Sequence, residues 1–337
     1  MVRDDECIKQ RSLIILVSSL VLVLCWVSVS AQAQTESPNK ASSQDNSRAP
    51  KLSVEVVDLT PRFIKFYETA TAEKADPERR WQLWQQLYGF AAVPPTPEGK
   101  AMARTLLDKA WSQYPKVMAR IRQGAAVLKP SPQSILESVV KLLKSTQYPI
   151  KVRVIVFVGE LENNAFAYVD KEGVSVVAVP VESSDEDLQL NLTHEFTHAV
   201  HIKIAGLPGT WERSIAETIL LEGLAMRVTE KLIPGKTPEF YTSARSNEWL
   251  PEADKRQTDI LKGIQQHLDE SDSETVTKFT FGDGTTGLKR EAYYAGWIIV
   301  GQLERQGMTL ADIAKLPRSS MDEVINDEIN ALIKAKR

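Results

Sequence analysis

Three of the four histidines in this chain, His194, His198 and His201, lie between positions 194 and 201. On an α-helix, residues four apart differ by one turn of rise and about 40° of rotation, so His194 and His198 can turn their imidazoles toward one ion. Zn²⁺ suits such a pair: it takes imidazole readily, and in catalytic sites it keeps three protein ligands and a fourth position for water. Glu195 follows the first histidine, which places its carboxylate beside that water and lets it accept the proton. His201 is three residues beyond His198, but three ligands from one straight helix crowd one side of a tetrahedron, so it is read as a supporting or packing residue.

A five-residue pattern with three positions specified recurs by chance in many helices. Here histidine is scarce elsewhere, and Leu190, Leu192, Phe196, Ala199, Val200 and Ile204 make the helix apolar enough to be buried. Buried imidazoles need partners, which favours a metal. The third ligand must come from another element, and Glu217 and Glu222 compete for the role. Ser214-Ile215-Ala216-Glu217 has the S-x-x-E form of a capping box, which gives Glu217 a structural task. Glu222 lies among Ile219, Leu221, Ala225 and Met226 and has no such task, so a cation best explains it, and it is the favoured ligand.

These residues need two helices to hold them. Ser184 with Asp185, Glu186 and Asp187 offers an N-cap and an acidic first turn, and Gly206 and Pro208 stop that helix near Ala205. The second helix opens at Ser214 and ends near Leu232, before Pro234-Gly235. Upstream, residues 151–158 (KVRVIVFV) and 174–181 (VSVVAVPV) are rich in β-branched types, with 165–169 as a short strand between them. Residues 51–59 partly alternate and could add a strand. Residues 61–128 read as helices, interrupted at Pro94-Pro95, in which Trp81, Trp84, Tyr88, Trp111 and Tyr114 pack. Further helices are expected at 251–269, 288–306 and 320–336, with a glycine-rich loop at 281–287 that lacks the spacing and lysine of a phosphate-binding loop.

The organisation that follows is a signal peptide or N-terminal anchor at 1–33, a disordered linker at 34–50, and a mostly helical region at 51–145. The metal-binding core follows at 146–232, then a helical C-terminal region at 233–337. The apolar run 13–29 follows Arg3, Lys9 and Arg11 and leads to Ala31-Gln32-Ala33, the A-x-A arrangement that a signal peptidase reads. Cleavage there is preferred over an uncleaved membrane anchor, and the expected location is secreted, periplasmic or cell-envelope. Both cysteines, Cys7 and Cys25, fall in this prefix. A formal charge of -3 gives no basic field for phosphate backbones, which argues against nucleic acid.

The segments Leu192-Thr193-His194-Glu195-Phe196-Thr197-His198 and Leu221-Glu222-Gly223-Leu224-Ala225 resemble the gluzincin metallopeptidases, and among them a family of predicted zinc-dependent proteases known only as a domain of unknown function. In aminopeptidase N relatives the third zinc ligand is the Glu of an N-E-G-F-A segment, although their 19-residue spacing falls here on Glu217. The resemblance implies an α+β fold with a zincin-like core: a small twisted sheet plus active-site helices, with flanking helical regions. It also implies an edge strand, 165–169 or 174–181, that receives substrate by strand addition. Arg290-Glu291-Ala292-Tyr293-Tyr294-Ala295-Gly296 is similar to the Y-x-x-G segment that supplies a transition-state tyrosine in those relatives. Tyr293 holds the matching position, with Tyr294 as its rival. No G-x-M-E-N segment, by which aminopeptidases hold a substrate's amino terminus, is present, so endopeptidase action is expected.

The expectation is a zinc-dependent peptidase, a hydrolase of peptide or protein substrates, with His194, His198 and Glu222 on the metal and Glu195 and Tyr293 as catalytic groups. Any membrane association would come from an uncleaved N-terminal segment. A non-catalytic zinc-binding envelope protein is the contrasting reading. Glu195 argues against it, because a structural site closes its fourth position and has no use for a base. A metal-dependent hydrolase of a non-peptide substrate is the third.

Overall fold

The computed structural model describes residues 51–93, 96–242 and 248–336. The prefix 1–33, the linker 34–50 and the Pro94-Pro95 break lie outside the described residues. Four strands form one sheet: β1 (Leu52–Asp58), β2 (Ile150–Phe157), β3 (Phe166–Val169) and β4 (Ser175–Pro180), in the order β1-β2-β4-β3. β1, β2 and β4 are parallel, and β3 runs antiparallel to β4 at the edge. Parallel strands are covered on both faces, which is why β2 and β4 read as near-continuous apolar runs. Of the two expected edge strands, 174–181 is interior and β3 is the edge.

Among the described residues the connection from β1 to β2 holds five α-helices, α1 (Thr60–Ala72), α2 (Pro77–Leu87), α3 (Pro97–Ala110), α4 (Tyr114–Ile121) and α5 (Pro132–Leu142), with a 3₁₀ turn at Gly124–Val127. Each α-helix carries a proline in its first turn, where a missing N–H costs nothing. The aromatic residues pack as expected, with Trp81 and Trp84 stacked at 4.8 Å and Tyr88 and Tyr114 buried. Two of them also hold the sheet. Tyr88 Oη donates to the carbonyl of Val158 and accepts its N–H, both at 2.8 Å, and Tyr114 Oη donates to the Gly159 carbonyl at 3.0 Å.

The helix that carries the histidines, α6 (Asp185–Ala205), is capped by Ser184, whose hydroxyl accepts the Asp187 N–H, and ends on Gly206 at φ 65°. It packs against β3 and β4 on one side and against α7 (Ile215–Leu232) on the other. The rest is helical: α8 (Pro238–Tyr241), α9 (Trp249–Lys255), α10 (Gln257–Gln265), α11 (Ser273–Thr280), α12 (Glu291–Arg305), α13 (Leu310–Ile313) and α14 (Arg318–Ala335). The single helix expected at 251–269 is two, broken at Arg256, and α11 was not expected. The glycine-rich loop wraps Glu291: its buried carboxylate accepts the N–H and hydroxyl of both Thr285 and Thr286, at 2.7–3.0 Å. Gly284, at φ 54°, leaves room for it, since a Cβ there would overlap the carboxylate. That wrapping fixes where α12 begins. The sheet, its covering helices and α6, α7 and α12 share one apolar core, and the architecture is α+β with a zincin-like core.

Candidate metal centre

His194 and His198 are 9% and 8% exposed, on the side of α6 that faces α7. Glu222, in the middle of α7 and 4% exposed, points back at them: its Oε2 lies 3.2 Å from His194 Nε2 and 3.5 Å from His198 Nε2. Bonds of about 2.0–2.1 Å to a tetrahedral zinc would set its ligand atoms roughly 3.4 Å apart, and both approaches of Glu222 to the imidazoles match that separation. Two imidazole nitrogens and one carboxylate oxygen are also the donor types zinc selects. The residues fit the ion. Glu195 is half-buried, and its carboxylate lies within 4.8 Å of one ring nitrogen of each histidine. Burial pushes its carboxyl above the ordinary range, although both histidines oppose this.

Glu222 is the more strongly held carboxylate. Burial resists its ionisation, yet His198 and His194 keep its carboxyl well below the usual range. Its other oxygen, Oε1, accepts from Arg213 Nη2 at 3.1 Å, and Arg213 Nε reaches the Thr218 hydroxyl at 3.3 Å. Arg213 comes from the loop between α6 and α7, and sequence reasoning missed it. A lone arginine in a connection carries no periodic or motif signal. Its one legible cue is position: it precedes the cap of the helix that carries Glu222.

Glu217 takes another path. Ser214 accepts the Glu217 N–H at 3.1 Å, which is one half of the expected capping box. The Glu217 carboxylate does not return to the cap. It accepts from Arg318 Nε at 2.9 Å, so it ties α7 to α14. His201 is fully buried, with neither ring nitrogen hydrogen-bonded among the described residues, and burial lowers its pKa to about 3. It stands outside the ligand group.

The two tyrosines part company. Tyr294 Oη donates to Asp254 at 2.8 Å and lies in a packed cluster with Trp249. Tyr293 lies under the Arg290 guanidinium, 3.7 Å from its ring. Burial pushes its hydroxyl pKa up, and the nearby carboxylates of Glu222 and Glu195 push it further. The crossing of α12 over α7 brings Tyr293 within the electrostatic reach of Glu222. There a Cβ on Gly223 would come 2.4 Å from the Gly296 carbonyl oxygen, and one on Gly296 would come 2.5 Å from that of Ile219.

Gly159-Glu160-Leu161-Glu162-Asn163 differs from G-x-M-E-N only in having Leu161 where methionine stands. Its Glu162 lies 2.9 Å from Lys109 Nζ. Its Asn163 accepts from Ser183 Oγ at 2.6 Å and from Asn191 Nδ2 at 3.0 Å, one turn before His194 on α6.

A helix bearing two histidines and a glutamate, packed on the edge of a small sheet and faced by a second helix whose carboxylate reaches both imidazoles, places this centre in the zincin class. Residues 133–323 match the family described as predicted Zn-dependent protease (DUF2268), and the chain belongs to it. That span includes every residue of the centre, together with β2, β3 and β4. No curated protein and no solved structure matches the chain.

Proposed function

We propose that this protein is a zinc-dependent endopeptidase acting outside the cytosol. The observation that carries the reading is the approach of Glu222 Oε2 to both imidazole Nε2 atoms, with Glu195 beside them. His194, His198 and Glu222 would hold the ion, whose chemistry is to acidify water and polarise a carbonyl. Glu195 accepts the proton of the attacking water and passes it to the leaving amine. Tyr293 donates its hydroxyl to the substrate carbonyl oxygen as charge develops there. β3 pairs with β4 along one side only, so its outer edge can take a substrate strand. The N-terminal A-x-A segment supports export, as does the confinement of both cysteines to the prefix.

The near match at Gly159 to Asn163 favours a second reading, an aminopeptidase that holds the substrate's amino terminus beside Glu162. Zinc analysis of the purified protein, together with cleavage of a peptide library offered both free and N-acetylated, tests the two. Cleavage of acetylated peptides, lost in Glu195→Gln, supports the endopeptidase. A requirement for a free amino terminus supports the second reading, and no cleavage by a zinc-loaded protein sinks both.

A further inference from the structure

Arg290 stands at the start of α12, ahead of Tyr293, in a left-handed backbone conformation with φ 66° and ψ 35°. Such a conformation is uncommon for so large a side chain and persists where the surroundings impose it. Here they do. The next residue, Glu291, is gripped by Thr285 and Thr286, and Arg290 Nη2 donates to the Thr242 carbonyl at 3.1 Å. The guanidinium is thereby laid over the Tyr293 ring, 3.7 Å from its centroid. A guanidinium on a ring face keeps its N–H donors in its own plane, so they stay free to meet an acceptor at its edge.

That acceptor is missing. Among the described residues the Thr242 carbonyl is the one hydrogen-bond partner of Arg290, its Nε is buried without any, and no carboxylate pairs with it. The neighbouring carboxylates are committed: Glu291 accepts from the two threonines, Asp254 from Tyr294, and Glu222 from Arg213. Arg213 is the other guanidinium whose charge acts on Tyr293, and it differs in this respect, since Glu222 neutralises it. A partly buried cation with unmade hydrogen bonds is costly, and an anion that completes them removes the cost. Arg290 and Tyr293 are both only half-buried, so the anion can arrive from solvent.

We propose that Arg290 is a specificity residue of the centre, binding a carboxylate of the peptide substrate beside the bond whose carbonyl Tyr293 meets. The inference rests on the peptidase reading. One residue of extended chain spans about 3.4 Å, so a guanidinium 3.7 Å from the tyrosine ring serves a residue within about two of the scissile bond. The carboxylate can be an Asp or Glu side chain or the carboxyl terminus itself, since a guanidinium accepts either. Peptides with no carboxylate near the scissile bond should be poor substrates.

The test measures peptide binding to zinc-loaded full-length protein carrying Glu195→Gln, which removes turnover, and cleavage by the protein with Glu195 intact. The probes are peptide mixtures amidated at the carboxyl terminus, with Glu or Gln fixed at one position at a time, and the Gln mixtures with a free carboxyl terminus. The expected result is about tenfold tighter binding of a carboxylate-bearing mixture than of its neutral counterpart, the weight of a charge-assisted hydrogen bond. Preference for Glu in amidated peptides identifies a side chain as the source, and preference for the free acid alone identifies the terminus. Arg290→Gln should abolish the discrimination and Arg290→Lys should restore part of it. An Arg290 that only positions Tyr293 would instead lower kcat for Glu and Gln peptides alike and leave their ratio unmoved, which would overturn the proposal. Equal binding of all mixtures by the protein with Arg290 intact would overturn it as well, and that comparison stands even if Arg290→Gln folds poorly. Discrimination in binding without any cleavage would sink the peptidase reading and leave the carboxylate site standing.

Discussion

Gly223 and Gly296 meet backbone to backbone where α12 crosses α7. Each stands near a residue of the centre, Gly223 directly after Glu222 and Gly296 three residues after Tyr293, so the contact sets how far apart those two side chains lie. A methyl group at 2.4–2.5 Å from a carbonyl oxygen cannot be accommodated without parting the helices. Gly223→Ala and Gly296→Ala should each cost about 1–3 kcal/mol or more in chemical denaturation, and both should lower kcat further than the loss of folded protein explains. A Tm and kcat within error of wild type in either variant would show that the helices yield.

Arg213 should set zinc affinity without touching the ion. Its guanidinium occupies Glu222 Oε1, which leaves Oε2 to face the imidazoles. Partners of metal ligands typically matter 10–100-fold in affinity, and Arg213→Gln is expected to fall in that range in competition with a chelator. Arg213→Lys keeps the charge but loses the bond to Thr218, so it should recover part of the loss. Equal zinc affinity in all three proteins would reduce Arg213 to a packing residue.

The parts of this structure legible in the sequence are those encoded locally. Ser184, Gly206 and Ser214 bound α6 and α7 because capping is a property of a few adjacent side chains. Strand order is not local. Nothing in 165–169 or 174–181 says which one ends the sheet, since that depends on where β2 lies. Glu217 misled for the same reason: S-x-x-E predicts a bond back to Ser214, but Arg318, about a hundred residues downstream, reached the carboxylate first. The glycines of the E-G-L-A and Y-x-x-G segments were legible as motif letters, while their packing role needed both helices in place.

Glu222 and Glu217 can be separated by measurement. Glu222→Gln removes a charged oxygen from between two imidazoles, so zinc affinity should fall severely and, with it, the thermal stability that bound metal confers. Glu217→Gln gives up an ion pair whose arginine is half-exposed, so it should lower Tm by a degree or two and leave zinc binding alone. The opposite pattern in a zinc titration would move the third ligand to Glu217.

Glu160 predicts the pH dependence of stability. Burial raises its carboxyl from the ordinary 4.5 to about 8, with Glu182 adding to the effect. The folded state therefore keeps a proton that the unfolded state gives up. The stabilisation is complete below pH 4.5 and is lost as pH rises through about 8. With zinc bound, wild type should lose roughly 3 kcal/mol more than Glu160→Gln between pH 5 and 8.5. Parallel stability curves for the two proteins would contradict this.

Tyr293 and Tyr294 are adjacent and chemically identical, yet the structure gives them different surroundings. Tyr294 Oη is bonded to the exposed carboxylate of Asp254, so Tyr294→Phe gives up one hydrogen bond and should cost about 0.5–1.5 kcal/mol of stability. It has no path to the substrate, and kcat for the remaining folded protein should not change. Tyr293 is held under Arg290 within the field of Glu222 and Glu195, and among the described residues its hydroxyl has no bonded partner to lose. Tyr293→Phe should leave Tm and zinc content near wild type. If the hydroxyl donates to the developing oxyanion, kcat should fall about 10²–10³-fold with little change in KM, because that bond exists only in the transition state. Thermal denaturation and steady-state kinetics on the same two preparations decide the matter. A stable, inactive Tyr293→Phe beside a less stable, active Tyr294→Phe is the expected pair, and the reverse would transfer the catalytic role to Tyr294.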